Sequence, residues 1–384
     1  MSVDQVRAAV AELSRELAGR GAEIEQAGRI PADVVRRLHR AGVFRLWVPV
    51  ELGGYEAQPA EVVELIRTLA AADGATGWCA ATGVASNIAG AVLAEPVARK
   101  VYAEPDTLCG GALAPGGRAA AQADGGFVVD GRWSFGSGTQ HCDWVIGAAV
   151  VTAGGAGGGQ PGQPPSLRAV VMPAVEVTFH DNWNAVGLRA TASVDYSVAG
   201  LYVPAERAID LAATKPWPAG AMWRIPLRSL LYPVLGAVPL GLADRAIAEL
   251  IGLAGRVRFG SPSRLADRET VQAAVGRAGA LVAAGAAQLS SALQALRVAA
   301  DAGDEPSPQL RAGARSAAVL ATELATEAIT LCYQTAGTPA VDLSHPLQRC
   351  LRDAYTAGQH YALSAQGFAI AGQVKLGFDP DPML

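Results

Sequence analysis

The sequence predicts an α+β fold, mainly α, in three consecutive parts. These are an N-terminal helical domain over residues 1–106, a small β-barrel or sandwich domain over 107–210, and a C-terminal four-helix bundle over 211–384. Three observations predict it. Apolar residues recur at three- and four-residue spacing near both ends of the chain. Short β-branched runs bounded by Gly, Asp and Pro fill the middle. The last third is rich in Ala and Leu, in stretches long enough to cross a bundle.

In chain order, VRAAVAELSRELAGRGAEIEQAG and PADVVRRLHRAGVFRL show amphipathic helical spacing, with Pro31 suited to a first turn and Gly42 to a stop. WVPVELGGYEA breaks the pattern at Pro49, Gly53 and Gly54, and helices resume in PAEVVELIRTLAAADGATGWCAATGVASNIAGAVL. From Thr107 to Pro204 the runs GGFVVDGRWSFGSG, DWVIGAAVVTA, LRAVVMPAVEVTF and SVDYSVAGLYVP read as strands. Between two of them lies AGGAGGGQPGQPPS, a surface loop by composition. It lacks GxGxxG spacing, and no GK[ST] occurs in the chain, so it is not read as a phosphate cradle. After Pro226 come YPVLGAVPLGLADRAIAELIGLAG, ETVQAAVGRAGALVAAGAAQLSSALQALRVAA, PQLRAGARSAAVLATELATEAITLCYQTAG and RCLRDAYTAGQHYALSAQGFAIAG, all read as helices. Their small residues predict close packing within the chain and between subunits.

Composition narrows the class. The 384 residues are 51% hydrophobic, which makes the chain globular rather than disordered. A net charge of −4 without a block of like charge argues against nucleic acid or an anionic membrane as partner. The five cysteines form no CxxC pair, so neither a disulfide framework nor a metal site is expected. No signal-peptide core and no run of about 18 apolar residues free of charge is read. A cytoplasmic location is the expectation.

Three stretches then carry a resemblance: FVVDGRWSFGSGTQHCDWV, WNAVGLRATASVDYSVAGLYVP and AGTPAVDLSHPLQRCLRDAYTAGQHYAL. With the order helical domain, β domain, bundle, they resemble the acyl-CoA dehydrogenase fold over nearly the whole chain. Acyl-CoA dehydrogenases need a carboxylate to remove the substrate's α-proton. Here AYTAGQHY has Thr356 where many members carry Glu, and no Glu follows Glu327. Instead, LRD-x6-H ending in His360, together with SGxxHxxW, resembles the flavin-dependent monooxygenases of this fold (group D), the oxygenase components of two-component hydroxylases.

That resemblance implies reduced FMN or FADH2 from a separate flavin reductase, O2 as co-substrate, and a flavin C4a-hydroperoxide that must be kept dry. It implies hydroxylation of a small organic substrate, with a phenolic or polyketide-like aromatic preferred. N-hydroxylation of an amine, an acyl-CoA dehydrogenase with a displaced base, and an inactive assembly partner are the alternatives. A homotetramer with flavin sites near subunit boundaries is expected.

Site residues follow from the same resemblance. Ser137 is expected at the flavin N5/C4a edge, in a turn where Gly136 and Gly138 let the backbone approach the ring. Trp133 and Phe135 would line the flavin, His141 would fix the turn or touch the flavin, and Thr191 and Ser193 would bond it or cap a strand. Arg256 would reach a flavin phosphate. Trp78, Asn87 and Tyr361 would line the substrate pocket, Asn87 standing where related hydroxylases often have a histidine. His360 is expected to take a proton from a phenol or ammonium, unless it is a helix residue bonded to Asp353.

Overall fold

The computed structural model describes residues 1–152, 166–255 and 263–379. Seven helices come first: α1 (Val3–Leu17), α2 (Gly21–Ala27), α3 (Ala32–Arg40), α4 (Pro59–Ala72), α5 (Gly74–Ser86), α6 (Ala89–Val92) and α7 (Glu95–Val101). Ser2 and Gln5 form a capping box that fixes where α1 begins. The stretch read as one helix to Gly28 is two, α1 and α2, separated by a turn at 18–20. Between α4 and α5, Asp73 Oδ1 accepts both the N–H and the hydroxyl of Thr76, which sets the start of α5. α5 carries Trp78.

Seven strands follow: β1 (Cys109–Ala121), β2 (Phe127–Gly136), β3 (Trp144–Thr152), β4 (Leu167–Pro173), β5 (Thr178–His180), β6 (Val194–Val203) and β7 (Ala208–Asp210). They form one sheet in the order β5-β6-β2-β1-β3-β4-β7, in which only the β1–β3 pair is parallel. The order is open, with β5 and β7 as edges, so the strands do not close into a barrel.

Trp133 is the centre of this sheet's core and is 1% exposed. Its indole N–H donates to the Ala148 carbonyl at 2.7 Å, and its ring stacks on Tyr196 at 5.4 Å. Strand glycines make the room: a Cβ at Gly117, Gly131 or Gly147 would fall 2.6, 2.7 or 2.5 Å from the indole. The expectation that Trp133 lines the flavin is therefore corrected. An indole walled in by its own sheet has no free face.

The bundle consists of α8 (Leu227–Ala254), α9 (Glu269–Asp301), α10 (Pro308–Ala336), α11 (Pro346–Ala357) and α12 (Gln366–Lys375). The stretch read as one final helix is broken between α11 and α12, with a single 3-10 turn at Tyr361–Leu363. His360 occupies the break. By length and composition α9 could cross a bilayer, which the sequence reading did not anticipate; in the fold it packs on α8 and α10, and 28% of its most apolar window is buried.

Candidate active site

The site forms where α5, the turn after β2, the segment before β6 and the α11–α12 break converge. Ser137 is its hub. The Trp78 indole N–H donates to Ser137 Oγ at 3.1 Å. Ser137 Oγ also bonds Ser193 Oγ at 2.7 Å, and Ser193 Oγ bonds Thr191 Oγ1 at 2.6 Å. Thr191 Oγ1 in turn donates to the Leu188 carbonyl at 2.8 Å. A hydroxyl has one donor and two acceptor sites, so Ser137 keeps bonding capacity beyond these two partners.

The backbone around this chain of hydroxyls is strained. Phe135 (φ 64°), Leu188 (φ 49°) and Ala192 (φ 42°) lie in the left-handed region that non-glycine residues rarely occupy. Such strain persists only where surrounding structure imposes it. At Phe135 the result is a side chain 70% exposed, edge-on to Trp183 at 6.3 Å. At Leu188 a carboxylate holds the loop: Asp353 Oδ1 accepts the Leu188 N–H at 2.6 Å. Beside it, Arg352 pairs with Glu25 at 2.6 Å and donates to the Val186 carbonyl at 2.7 Å. Burial pushes the Asp353 carboxyl up to about 7, with the nearby Asp73 acting in the same direction. Gly74 permits this approach, since a Cβ there would come 2.9 Å from Asp353 Oδ2. Nothing in the sequence around Arg352 and Asp353 marks the loop they hold. Only the fold brings residue 188 to residue 353.

His360 stands beside Trp78, their rings edge-on at 5.5 Å, and the Tyr361 ring is 4.7 Å from it. It is not bonded to Asp353, whose Oδ1 serves Leu188 instead. The Ala362 N–H donates to His360 Nδ1 at 3.2 Å. Burial lowers the imidazole to about 4, so the ring is neutral near pH 7. A neutral ring with its Nδ1 lone pair engaged carries its proton on Nε2. The base role expected for His360 does not fit this tautomer: Nε2 presents an N–H, a donor. No hydrogen bond to Nε2 occurs among the described residues.

Other expected residues fall elsewhere. Asn87 is fully buried; its Nδ2 donates to the Phe44 carbonyl at 2.7 Å, and its Oδ1 accepts the Cys109 N–H at 2.9 Å and the Tyr102 hydroxyl at 3.2 Å. With its amide spent tying α5 to β1, Asn87 does not line the pocket. His141 lies near Arg29 and His39, and burial with those charges lowers its imidazole. It borders a cavity of about 20 Å³ shared with Ile30, Phe44, Cys79 and Ser137. Thr191 is 1% and Ser193 6% exposed, so each reaches Ser137 or its neighbour rather than open space. Thr356, at the position where a carboxylate was sought, donates its hydroxyl to the Arg352 carbonyl. Arg256 lies outside the described residues.

Residues 2–96 match the family described as acyl-CoA dehydrogenase, N-terminal domain, and residues 233–365 the corresponding C-terminal domain. A pigment production hydroxylase of Rhodococcus erythropolis is 31% identical over 96% of this chain and 95% of its own. The oxygenase component of an FADH(2)-dependent resorcinol hydroxylase from Rhizobium is 30% identical over 97% and 93%. The chain belongs to the flavin-dependent monooxygenases of the acyl-CoA dehydrogenase family.

The crystal structure of a 3-HSA hydroxylase from Rhodococcus sp. RHA1 superposes with a TM-score of 0.92, at 26% identity and 99% coverage of both chains. A flavin-dependent monooxygenase of the two-component type takes reduced flavin as cofactor. The residues present suit that group. Ser137 offers spare hydrogen-bonding capacity, and Phe135, Trp183 and Tyr361 offer partly exposed aromatic surface to a flat ring with a polar edge.

Proposed function

We propose that the chain is the oxygenase component of a two-component hydroxylase acting in the cytoplasm. It takes reduced FMN or FADH2 from a separate reductase and, with O2, hydroxylates a phenolic or polyketide-like aromatic. Bound reduced flavin supplies the activated oxygen, by the hydroperoxide route its resemblance implies. Ser137, Phe135 and Trp183 hold the flavin edge, and Trp78, His360 and Tyr361 form the substrate side. His360 donates Nε2–H to the oxygen of a substrate bound as its phenolate, the phenol proton having gone to solvent. The bond holds and orients the ring, whose charge enriches the carbon to be oxygenated. The Trp78 indole, 5% exposed, shields the reacting groups from water on its side.

The observation that carries this reading is the pairing of a neutral histidine with a hydroxyl hub across one tryptophan, in a site where no carboxylate stands at the Thr356 position. Two relatives support an aromatic substrate: the resorcinol hydroxylase component, and an indole-3-acetate monooxygenase of Pseudomonas putida that is 31% identical over 94% of this chain and 90% of its own. A homotetramer belongs to the proposal, because Ala280, Ala283, Ala284 and Ala287 leave an exposed stripe of small apolar residues along α9.

The test supplies the purified protein with a flavin reductase, NADH, ¹⁸O2 and a panel of phenols. One ¹⁸O atom should enter the product, and NADH oxidation should require the reductase. If an acyl thioester reduces protein-bound flavin while no phenol is hydroxylated, the displaced-base dehydrogenase is the correct reading.

A further inference from the structure

The hydroxyl chain has a fixed direction. The Leu188 carbonyl can only accept, so the single Thr191 hydroxyl proton is committed to it. Thr191 Oγ1 must therefore accept from Ser193, and the single Ser193 proton is committed there. Ser193 Oγ must then accept from Ser137, and the Ser137 proton is committed there. From the other side, the Trp78 indole N–H can only donate to Ser137. Three hydroxyls and one indole thus have one consistent arrangement. In it Ser137 Oγ keeps one lone pair and no proton to offer.

We infer that Thr191 and Ser193 fix Ser137 as a hydrogen-bond acceptor toward bound ligand, and so make the site prefer reduced over oxidised flavin. The inference rests on the flavin reading above. Oxidised flavin carries a lone pair at N5, whereas reduced flavin carries an N–H there. An acceptor-only Ser137 meets the first with two lone pairs face to face and the second with a hydrogen bond. Thr191 and Ser193 are positioning residues in this account: they act through Ser137, and both are buried.

The direction of the chain can be reversed at its far end. In Thr191→Val, which nearly keeps the side-chain volume, Ser193 loses its acceptor and turns its proton to Ser137. Ser137 then accepts from both Trp78 and Ser193, and its own proton is released toward the ligand. The Leu188 carbonyl remains satisfied by the Trp183 indole N–H at 3.2 Å and the Thr191 backbone N–H at 3.1 Å. Ser193→Ala frees the Ser137 proton more directly. Thr191→Ser preserves the direction.

The experiment measures anaerobic affinity for reduced and oxidised flavin, and the potential of the bound couple, in the wild type and these three variants. The wild type and Thr191→Ser should favour reduced flavin about tenfold or more. Thr191→Val and Ser193→Ala should each lower that ratio about tenfold, a fall of about 30 mV in the two-electron potential. If both variants keep the wild-type ratio, or weaken both forms equally, the inference is wrong while the flavin reading stands, because a merely structural role does only that. If the wild type binds neither form, the flavin reading itself fails, and the inference with it.

Discussion

Trp78 donates its indole N–H to Ser137 Oγ across 3.1 Å, while the ring of the same residue lies edge-on to His360 at 5.5 Å. One side chain on α5 thereby joins the turn after β2 to the break between α11 and α12. The two groups proposed to face flavin and substrate are held at fixed separation by a rigid indole.

Removing that indole N–H, or the hydroxyl it reaches, should separate O2 consumption from hydroxylation. A hydrogen bond lost in a dry site costs roughly 1–3 kcal/mol, about ten- to a hundredfold in rate if it falls on one barrier. Ser137→Ala should divert most turnover to H2O2. Trp78→Phe, which keeps an aromatic wall, should do so to a smaller extent. Peroxide released per product formed is the measurement. Equal coupling in Ser137→Ala and wild type would remove Ser137 from the site.

The clamp on Leu188 should appear in stability. Burial raises the Asp353 carboxyl from its usual value to about 7, so between pH 4 and 7 the folded state holds a proton that the unfolded state has released. Stability contributed by the protonated form is therefore lost as pH rises through that window. Asp353→Asn keeps the shape and cannot ionise. Its Tm relative to wild type should rise between pH 5 and 8. A parallel pair of Tm curves would mean that Asp353 titrates normally in the fold.

Much of this was legible in the chain. The helical spacing of α3 and α4, the Gly- and Asp-bounded strands and the Ala-rich bundle follow from local rules that the fold respects. Ser137, Trp78 and His360 were singled out by resemblance, and the fold brings them together. What failed shares one physical cause. Whether Trp133 faces a ligand or a core depends on Gly117 and Gly147 from other strands, and what Asn87 does depends on Cys109 and Tyr102. The Asp353–Leu188 bond spans 165 residues, beyond any spacing rule. The His360 tautomer depended on a helix break at Gly358 that Ala-rich flanks conceal.

Assembly provides a third test. The exposed Ala280, Ala283, Ala284 and Ala287 of α9 gain burial when a second copy covers them. Light scattering at micromolar concentration should give a tetramer. Charged substitutions at Val298, which is 57% exposed on α9, should lower the order of assembly. A wild-type monomer would overturn the tetramer.

The last prediction concerns what His360 does for the substrate. With Nδ1 accepting the Ala362 N–H, the neutral ring offers only Nε2–H. A ring lowered to about 4 by burial stays in that form through the ordinary pH range. The acid limb of kcat/KM should therefore lie well below 6.5 as far as His360 is concerned. A donor and a base fail differently. Were His360 a base, His360→Ala would recover at alkaline pH, where phenols ionise unaided. As a donor to the phenolate oxygen, His360→Ala should lose roughly ten- to a hundredfold, the cost of about 1.5–3 kcal/mol for a hydrogen bond to a charged group, and keep that defect at alkaline pH. His360→Gln, which still carries an amide N–H, should recover part of the loss. His360→Glu, which can accept a proton but not donate one when ionised, should recover none. Rates of product formation from pH 6 to 10 in the three variants decide between the roles. Full recovery of His360→Ala at high pH would restore the base and would mean that the Ala362 contact breaks when substrate binds.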